Sequence, residues 1–222
     1  MRMFNHAGAC NRPRIAVLIS GRGSNLPSLL GNDLGGDVVV IGSNKAEAAG
    51  LDIARDAGIA HFVVSHKDFD SREAFDTALV AALNVYRPDL VVLAGFMRIT
   101  TPVFTQAFAG RLINIHPSLL PSFPGLHTHA RALEDGVKLH GCTVHFVTPE
   151  LDRGPIIAQA AVQVEDDDSP ETLAAKVLLQ EHQIFPYAVR LFCEGRLQVE
   201  GQRVRTLPKS ATKVIDSMRA NV

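Results

Sequence analysis

The sequence predicts one α/β domain built on a doubly wound, mostly parallel (mixed) sheet. Short runs that are almost wholly apolar alternate with segments of helical periodicity, a pattern typical of sheets buried on both faces. Of the 222 residues, 46% are hydrophobic and 20% are charged, which is enough for a sizeable core in a single large domain. We therefore expect right-handed β-α-β crossovers, with a binding site at the carboxyl ends of the strands.

Six apolar runs are predicted strands. The first four are short and nearly continuous in apolar residues, whereas the last two are looser. One of the last two is expected to run antiparallel at the edge of the sheet. The predicted strands cover residues 14–20, 37–42, 59–64, 89–94, 141–147 and 155–164.

Helical segments are predicted between these strands. Residues 46–57 form one predicted helix, and residues 71–86 form another, in which apolar residues recur every three or four positions. Asp70 is expected to be the N-cap of the second helix, with Glu73 as its capping-box partner three residues later.

A long helix is predicted near the end of the chain. Ser169 and Pro170 suit its N-cap and first helical position, and the helix is expected to reach about Phe192. Pro186 should kink or interrupt it, because proline lacks the backbone N–H that a helix interior needs. Residues 195–222 are expected to form a short strand or hairpin followed by a tail.

Composition argues against several classes of protein. The formal net charge is −1, so nothing favours nucleic acid as a partner. No apolar run reaches the roughly 18 residues that a membrane span needs, and no membrane association is expected. The three cysteines, Cys10, Cys142 and Cys193, form no CxxC pair, which favours a reducing, cytoplasmic setting. Whether the chain is a monomer or a homodimer stays open.

The first candidate site is the glycine-containing loop SGRGSNL at residues 20–26. Glycines before a helix start let backbone N–H groups approach an anion, so Gly23, Ser24 and Asn25 are candidates for holding a single phosphate. Leu26 stands where a dinucleotide fingerprint has its third glycine, and no Gly-Lys-Ser/Thr follows as in a P-loop. An ordinary tight turn remains the alternative.

The second candidate site is the pair Asn114 and His116, at the end of an apolar run that stops at Pro117. In a strand, residues i and i+2 share a face, so an amide and an imidazole lie side by side. Such a pair can stabilise an oxyanion and move a proton, although a structural histidine is the alternative. Asp152, in the sequence LDRGP, is by itself better explained as common turn chemistry and would not be singled out.

A metal site is not expected, despite a run of histidines. No HxxxH or HExxH spacing and no cysteine pair supports one. The histidines concerned are His116, His127, His129, His140 and His145.

Eight segments of the chain match motifs of a known family. They are VLISGRGSNL (17–26), SNKA (43–46), DSREA (70–74), LAGFMRI (93–99), NIHPSLLP (114–121), PGLHTH (124–129), GCTVHFV (141–147) and LDRGP (151–155). On these motifs the chain resembles the phosphoribosylglycinamide formyltransferases, which are 10-formyltetrahydrofolate-dependent enzymes. The segment ending in SLLP is shared more widely among formyl-folate enzymes. The glycine loop and the tripeptide His-Thr-His (127–129) are more specific for this family.

The resemblance implies a Rossmann-like formyltransferase fold and a one-carbon group transfer. A formyltransferase domain would cover residues 14–200, between a lead-in (1–13) and a C-terminal tail (201–222). The reaction would be transfer of the formyl group from 10-formyltetrahydrofolate to the amine of glycinamide ribonucleotide, the third step of de novo purine (IMP) biosynthesis. Both substrates are small molecules, and no metal is implied.

The resemblance also assigns residues to roles. Asn114, His116 and Asp152 match the catalytic trio. The positions matching the ribonucleotide site are Gly23, Ser24, Asn25, Leu178, Leu179, Gln180 and Glu181. The positions matching the formyl-folate pocket are Arg72, Met97, Arg98, Ile99, Thr100, Asn114, Thr148, Pro149, Glu150, Leu151 and Asp152.

These roles lead to a mechanistic hypothesis. The amine attacks the formyl carbon directly, and the tetrahedral intermediate carries negative charge on the formyl oxygen. Asn114 and protonated His116 would donate hydrogen bonds to that oxygen. Asp152 would favour the protonated form of His116 and assist the transfer of the proton that the amine releases.

Two alternatives stay open at this point. A formyltetrahydrofolate hydrolase would use water in place of the amine, but that class usually has an extra N-terminal domain, for which the 13 residues before the first strand leave no room. A phosphate-binding module without catalysis would explain the glycine loop alone. It would leave Asn114, His116 and residues 141–155 without a role.

Overall fold

The computed structural model describes residues 12–209. Residues 1–11 of the predicted lead-in and residues 210–222 of the predicted tail lie outside the described residues. Within residues 12–209, nine strands form one sheet in the order β3-β2-β1-β4-β5-β6-β7-β9-β8. The strands are β1 (Arg14–Ile19), β2 (Asp37–Ser43), β3 (His61–Val63), β4 (Leu90–Leu93), β5 (Leu112–His116), β6 (Leu139–Phe146), β7 (Ile156–Gln163), β8 (Leu197–Glu200) and β9 (Arg203–Thr206).

The first five strands are parallel, as the sequence predicts. β1 lies between β2 and β4, and β3 and β5 pair with the outer sides of those strands. The α/β class with a mostly parallel, mixed sheet is therefore confirmed. The helices are α1 (Leu26–Leu30), α2 (Gly50–Asp56), α3 (Arg72–Val85), α4 (Pro102–Ala107), α5 (Thr128–Glu134) and α6 (Pro170–Cys193).

One strand, β6, runs antiparallel to both of its neighbours, β5 and β7. An antiparallel strand was expected at the sheet edge, and that position is wrong because β6 lies inside the sheet. The predicted terminal hairpin explains the difference. β8 and β9 form the hairpin, and β9 pairs with β7 through Ile156 and Arg203, so the sheet extends beyond the antiparallel pair.

The start of α3 differs from the prediction by one residue. Ser71, not Asp70, is the N-cap, because its hydroxyl accepts a hydrogen bond from the Ala74 N–H at 3.1 Å. Ser71 has extended backbone angles and the helix begins at Arg72, so the N3 position falls on Ala74. The predicted capping box with Glu73 is therefore wrong.

The long helix α6 begins at the predicted cap. The Ser169 hydroxyl accepts from the Thr172 N–H, and the Thr172 hydroxyl accepts from the Ser169 N–H, which completes a capping box. The helix continues through Pro186, so the predicted interruption is wrong. Phe185 and Pro186 are both buried, and packing offsets the missing backbone hydrogen bond. Among residues 12–209, no helix combines the length and the apolar character that a membrane crossing requires.

The helix predicted over residues 46–57 is shorter in the structure, since α2 begins at Gly50. Backbone bonds hold the preceding residues in turns: the Ala48 N–H donates to the Lys45 carbonyl. The Gly50 N–H donates to the Gly21 carbonyl at 3.0 Å. The start of α2 is thus tied to the glycine loop that follows β1.

The sheet separates two hydrophobic clusters. Ile15, Val17 and Ile19 of β1 face one cluster, whereas Ala16 and Leu18 face the other. All five are completely buried. Because successive strand residues point to opposite faces, a strand covered on both faces has to be apolar throughout.

We expect Leu79→Ala to lower the free energy of unfolding by about 2–5 kcal/mol, because Leu79 of α3 is fully buried in the second cluster. On the same helix, Val85 is 77% exposed, and Val85→Ala should change the free energy by no more than about 0.5 kcal/mol. Urea unfolding of the three proteins measures both values. Equal losses in the two variants would contradict the assignment of Leu79 to the core.

Candidate active site

The predicted pair Asn114 and His116 lies at the carboxyl end of β5. His116 is 6% exposed, and Asn114 is half-buried. β5 pairs with β4 on one side and with β6 on the other. The pair therefore has neighbours across both edges of its strand, in the middle of the sheet.

His145 of β6 is a further residue of the site, which the sequence analysis considered only among the histidines of an unexpected metal site. It lies directly opposite Asn114 in the antiparallel register, and its Nε2 is 3.2 Å from the Asn114 amide nitrogen. Its Nδ1 is 2.8 Å from the Phe146 carbonyl oxygen, which can only accept. Nδ1 therefore carries the proton, and Nε2 accepts from Asn114.

Burial keeps His145 in this form. The ring is 1% exposed, and desolvation lowers the pKa of His145 below its usual value. A neutral imidazole can accept at Nε2, so it fixes the orientation of the Asn114 amide. One N–H of that amide is held by His145, and the other has no hydrogen-bond partner among residues 12–209.

His116 has a different pair of partners. Its Nε2 lies 3.0 Å from the Phe123 carbonyl oxygen, and its Nδ1 lies 3.6 Å from the Asp152 carboxylate. Both ring nitrogens therefore face oxygen atoms that can only accept. Because a carbonyl oxygen only accepts, Nε2 is the donor in its contact with Phe123.

Asp152 reaches the site from the loop between β6 and β7. Its backbone has a φ of 53°, in the left-handed region, and its side chain is 8% exposed. The carboxylate accepts a hydrogen bond from the Gly125 N–H at 2.8 Å. Gly154 lies against the Phe146 carbonyl, where any side chain would collide. The glycine of LDRGP therefore lets the loop close and carry Asp152 back to His116.

Two further histidines pack beside this group. The His129 and His140 rings make an edge contact with centroids 5.2 Å apart, and Phe123 packs on His140 at 5.8 Å. His140 is fully buried, and neither of its ring nitrogens has a hydrogen-bond partner among residues 12–209. Burial, followed by the neighbouring His129, lowers the pKa of His140 to about 4. The ring is therefore neutral near pH 7.

In the glycine loop after β1, the backbone at Gly23 lies very close to the backbone at the start of α2. Gly23 has a φ of 69°, and a Cβ there would lie 2.9 Å from the Gly50 Cα. Only glycine fits without strain. Asn25 is 4% exposed, and its amide nitrogen donates to Glu181 of α6 at 2.8 Å. The Asn25 side-chain oxygen has no hydrogen-bond partner among residues 12–209.

The predicted α6 segment, residues 178–181, meets this loop through its last residue. Glu181 is 8% exposed, and burial raises its pKa above the usual value. The adjacent His182 places its Nε2 2.8 Å from the Ser24 carbonyl oxygen. Leu179 is 64% exposed, and Leu178 and Gln180 are half-buried, without a recorded bond to the glycine loop.

The predicted formyl-folate residues come from three separate segments. Met97 and Ile99, in the loop after β4, are 66% and 56% exposed, and Leu151 after β6 is 52% exposed. The Arg98 guanidinium lies over the Phe75 ring at 5.8 Å. Arg72 is exposed at the first position of α3.

The remaining predicted residues of the pocket lie in the same loops. Thr100 is half-buried, and the Thr148 hydroxyl donates within its own turn to the Glu150 carbonyl at 3.2 Å. Pro149 and Glu150 are exposed. Within residues 12–209, no group of three or more His, Cys, Asp or Glu side chains is arranged to hold a metal ion.

Comparison with known proteins gives one consistent family. Residues 13–189 match the model of the formyl transferase family. The chain is 51% identical over 201 residues to the phosphoribosylglycinamide formyltransferase of Escherichia coli, covering 86% of this chain and 95% of that protein. It superposes on glycinamide ribonucleotide transformylase 1 from Symbiobacterium toebii with a TM-score of 0.88 and 49% identity, covering 92% of this chain and 99% of that one.

A more distant solved structure belongs to a different activity. A formyltetrahydrofolate deformylase from Pseudomonas syringae superposes with a TM-score of 0.83 at 29% identity. The match covers 89% of this chain and 66% of the deformylase.

We expect His140 to make stability depend on pH. Between pH 6.5, the ordinary pKa, and about 4, the unfolded chain binds a proton at residue 140 that the folded protein does not. The free energy of unfolding should therefore fall as pH drops through this range, and His140→Phe should reduce that fall. Urea unfolding at pH 7, 6, 5 and 4.5 measures the slope.

The exposed ring of His61 provides the control for this experiment, since His61→Gln should leave the slope unchanged. Equal slopes in the wild type and His140→Phe would contradict the assignment of this pH dependence to His140.

Proposed function

We propose that the protein transfers a formyl group from 10-formyltetrahydrofolate to the amine of glycinamide ribonucleotide. The chain belongs to the formyl transferase family. The family makes it an enzyme, and its relatives place it in purine biosynthesis. The observation that carries the proposal is the group at the end of β5. Asn114 presents an oriented amide, and a carboxylate lies 3.6 Å from the His116 ring.

Negative charge develops on the formyl oxygen when the amine attacks the formyl carbon. Asn114 can donate its second N–H to that oxygen, because His145 already holds the first. A fixed donor of this kind needs no reorganisation during the reaction, which is why such donors have large effects on rate.

His116 would be the second donor to the formyl oxygen. In the structure its Nε2 faces the Phe123 carbonyl, so the formyl oxygen has to take the place of that carbonyl. The Asp152 carboxylate lies 3.6 Å from the other ring nitrogen, Nδ1, and so is close to the reacting group. The same carboxylate can accept the proton that the attacking amine releases, directly or through a water molecule. The intermediate then collapses as the bond between the formyl carbon and N10 of the folate breaks, and N10 takes up a proton as the folate leaves.

The glycine loop is proposed to hold the phosphate of the ribonucleotide. Gly23, Ser24 and Asn25 precede α1, and Gly23 lets the backbone approach an anion closely. Residues 178–181 of α6 would face the glycinamide end. The hydrogen bond from Asn25 to Glu181 supports this arrangement, because it joins the two parts of the proposed site.

The loops after β4 and β6 are proposed to hold the formyl-folate. Arg72, residues 97–100 and residues 148–152 would line this pocket. The exposed apolar side chains of Met97, Ile99 and Leu151 suit a flat heterocycle. When bound, the folate supplies the formyl carbon that the amine attacks.

Hydrolysis of the formyl-folate is the alternative function that an observation supports, since a deformylase shares the fold. The trio of Asn114, His116 and Asp152 would serve an attacking water as well as an amine. The two functions differ in whether formyl loss from the folate needs the ribonucleotide.

The test follows the folate chromophore with and without glycinamide ribonucleotide. We expect formyl loss to require the ribonucleotide, and formylated ribonucleotide to appear in equal amount. Formate release at the same rate without ribonucleotide would favour the hydrolase. Binding of both ligands with no turnover would show a non-catalytic binding protein.

Substitution of the trio should lower turnover and leave binding intact. For Asn114→Ala and His116→Ala we expect kcat to fall by about 100- to 1000-fold, as when one oxyanion donor is removed. Asp152→Asn should also lower kcat, because the carboxylate charge is lost. Steady-state kinetics give kcat, and isothermal titration with ribonucleotide gives binding.

Two exposed residues supply the controls, His61→Ala and Asp166→Asn, and both should retain wild-type kcat. A trio variant that keeps the wild-type kcat would show that its assigned role is wrong.

A further inference from the structure

Ser20, the first residue of the glycine loop, forms a hydrogen bond to the loop after β4. Its hydroxyl accepts from the Met97 N–H at 2.8 Å and lies 2.6 Å from the Asn44 side-chain oxygen. Ser20 is 4% exposed and Asn44 is 1% exposed. Neither side chain belongs to the trio or to the proposed ligand contacts.

The direction of these bonds is determined by the backbone group. The Met97 N–H can only donate, so the Ser20 hydroxyl accepts a hydrogen bond from it and donates one to the Asn44 side-chain oxygen. Asn44 must then present its oxygen to Ser20, which turns its amide nitrogen towards His66 Nδ1 at 3.1 Å. The hydroxyl of Ser20 is thereby held with its acceptor side towards Met97.

Asp76 of α3 makes the corresponding bond at the other end of the same loop. Its carboxylate accepts from the Thr101 N–H at 2.6 Å. Asp76 is 1% exposed, and burial raises its pKa above the usual value. Burying a carboxylate is costly, so its presence here calls for a role that an apolar residue could not fill.

The backbone N–H groups between these two hydrogen bonds lack partners among residues 12–209. Within residues 12–209, no hydrogen bond is recorded for the backbone N–H groups of Arg98, Ile99 or Thr100. The loop is thus fixed at Met97 and at Thr101, and its middle presents unpaired backbone groups. Such N–H groups are available to a ligand that carries ring acceptors.

We propose that Ser20 and Asp76 are positioning residues for the formyl-folate pocket, and that together they hold residues 97–101 in the shape that binds the folate ring. A backbone segment that is already ordered loses less conformational entropy when it binds a ligand. Loss of the hydrogen bond at either Met97 or Thr101 should therefore weaken binding of the folate more than binding of the ribonucleotide. The identity of the ligand rests on the proposed function, whereas the two anchors do not.

The experiment compares Ser20→Ala with Ser43→Ala. Ser43 is also a fully buried serine at a strand end, and among residues 12–209 its hydroxyl bonds only to backbone groups of Lys45. We expect Ser20→Ala to speed exchange of the Met97 amide and to raise the KM for formyl-folate, each by about tenfold, a factor that one hydrogen bond can supply. The KM for ribonucleotide should change by less than about twofold, and Ser20→Thr should restore both values.

Two variants test Asp76, one that removes the acceptor and one that keeps it. Asp76→Ala should speed exchange of the Thr101 amide and raise the KM for formyl-folate, whereas Asp76→Asn, which can still accept, should do neither. If Asp76→Ala does not fold, Ser20→Ala and its control decide the proposal. Amide exchange is measured on the ligand-free protein, so it tests the anchors even if the wild type transfers no formyl group.

Three results would overturn the proposal. Unchanged exchange of Met97 in Ser20→Ala would show that the anchor does not hold the loop. Faster exchange with an unchanged KM for formyl-folate would show that the anchor is structural only. An equal rise of that KM in Ser43→Ala would show a general loss of stability.

Discussion

The antiparallel pairing of β5 with β6 is the constraint on which the rest of the site depends. It sets Asn114 opposite His145 and His116 opposite Thr143. Opposite residues of an antiparallel pair share a face and lie close together, so the amide and the ring of His145 meet. The chain then turns after β6, and the loop brings Asp152 to within 3.6 Å of His116.

Two histidines of this site differ in what their partners require. His145 has one partner that only accepts and one that donates, so the neutral ring fits it, and burial lowers its pKa. His116 faces oxygen acceptors at both nitrogens. One ring therefore orients the Asn114 amide by accepting, and the other is arranged to donate. Both rings are buried, so burial does not distinguish their roles. The difference between them follows from their hydrogen-bond partners.

Local sequence signals predicted the parts of the fold that local chemistry decides. The strand face shared by Asn114 and His116 follows from two-residue periodicity, and the cap at Ser169 follows from its residue type. The place of β6 inside the sheet depends on pairings between distant segments, which no local pattern contains. His145 was missed for the same reason, since only the register of β5 with β6 gives it a partner 31 positions earlier.

In the mechanism that we propose, the trio suits either an amine or water, so the choice of attacking group would be made elsewhere in the site. Water needs no anchor, whereas the amine of a ribonucleotide can be placed by its remote phosphate, whose binding energy then serves to orient the reacting atom. In the proposed function the glycine loop holds that phosphate, and Gly23 gives the loop the close backbone approach that this would require. Asn25 is fixed to Glu181, which lies 156 positions later in the chain. A loop held in this way would suit the transferase that we propose, which has to place an amine, whereas hydrolysis would not need it.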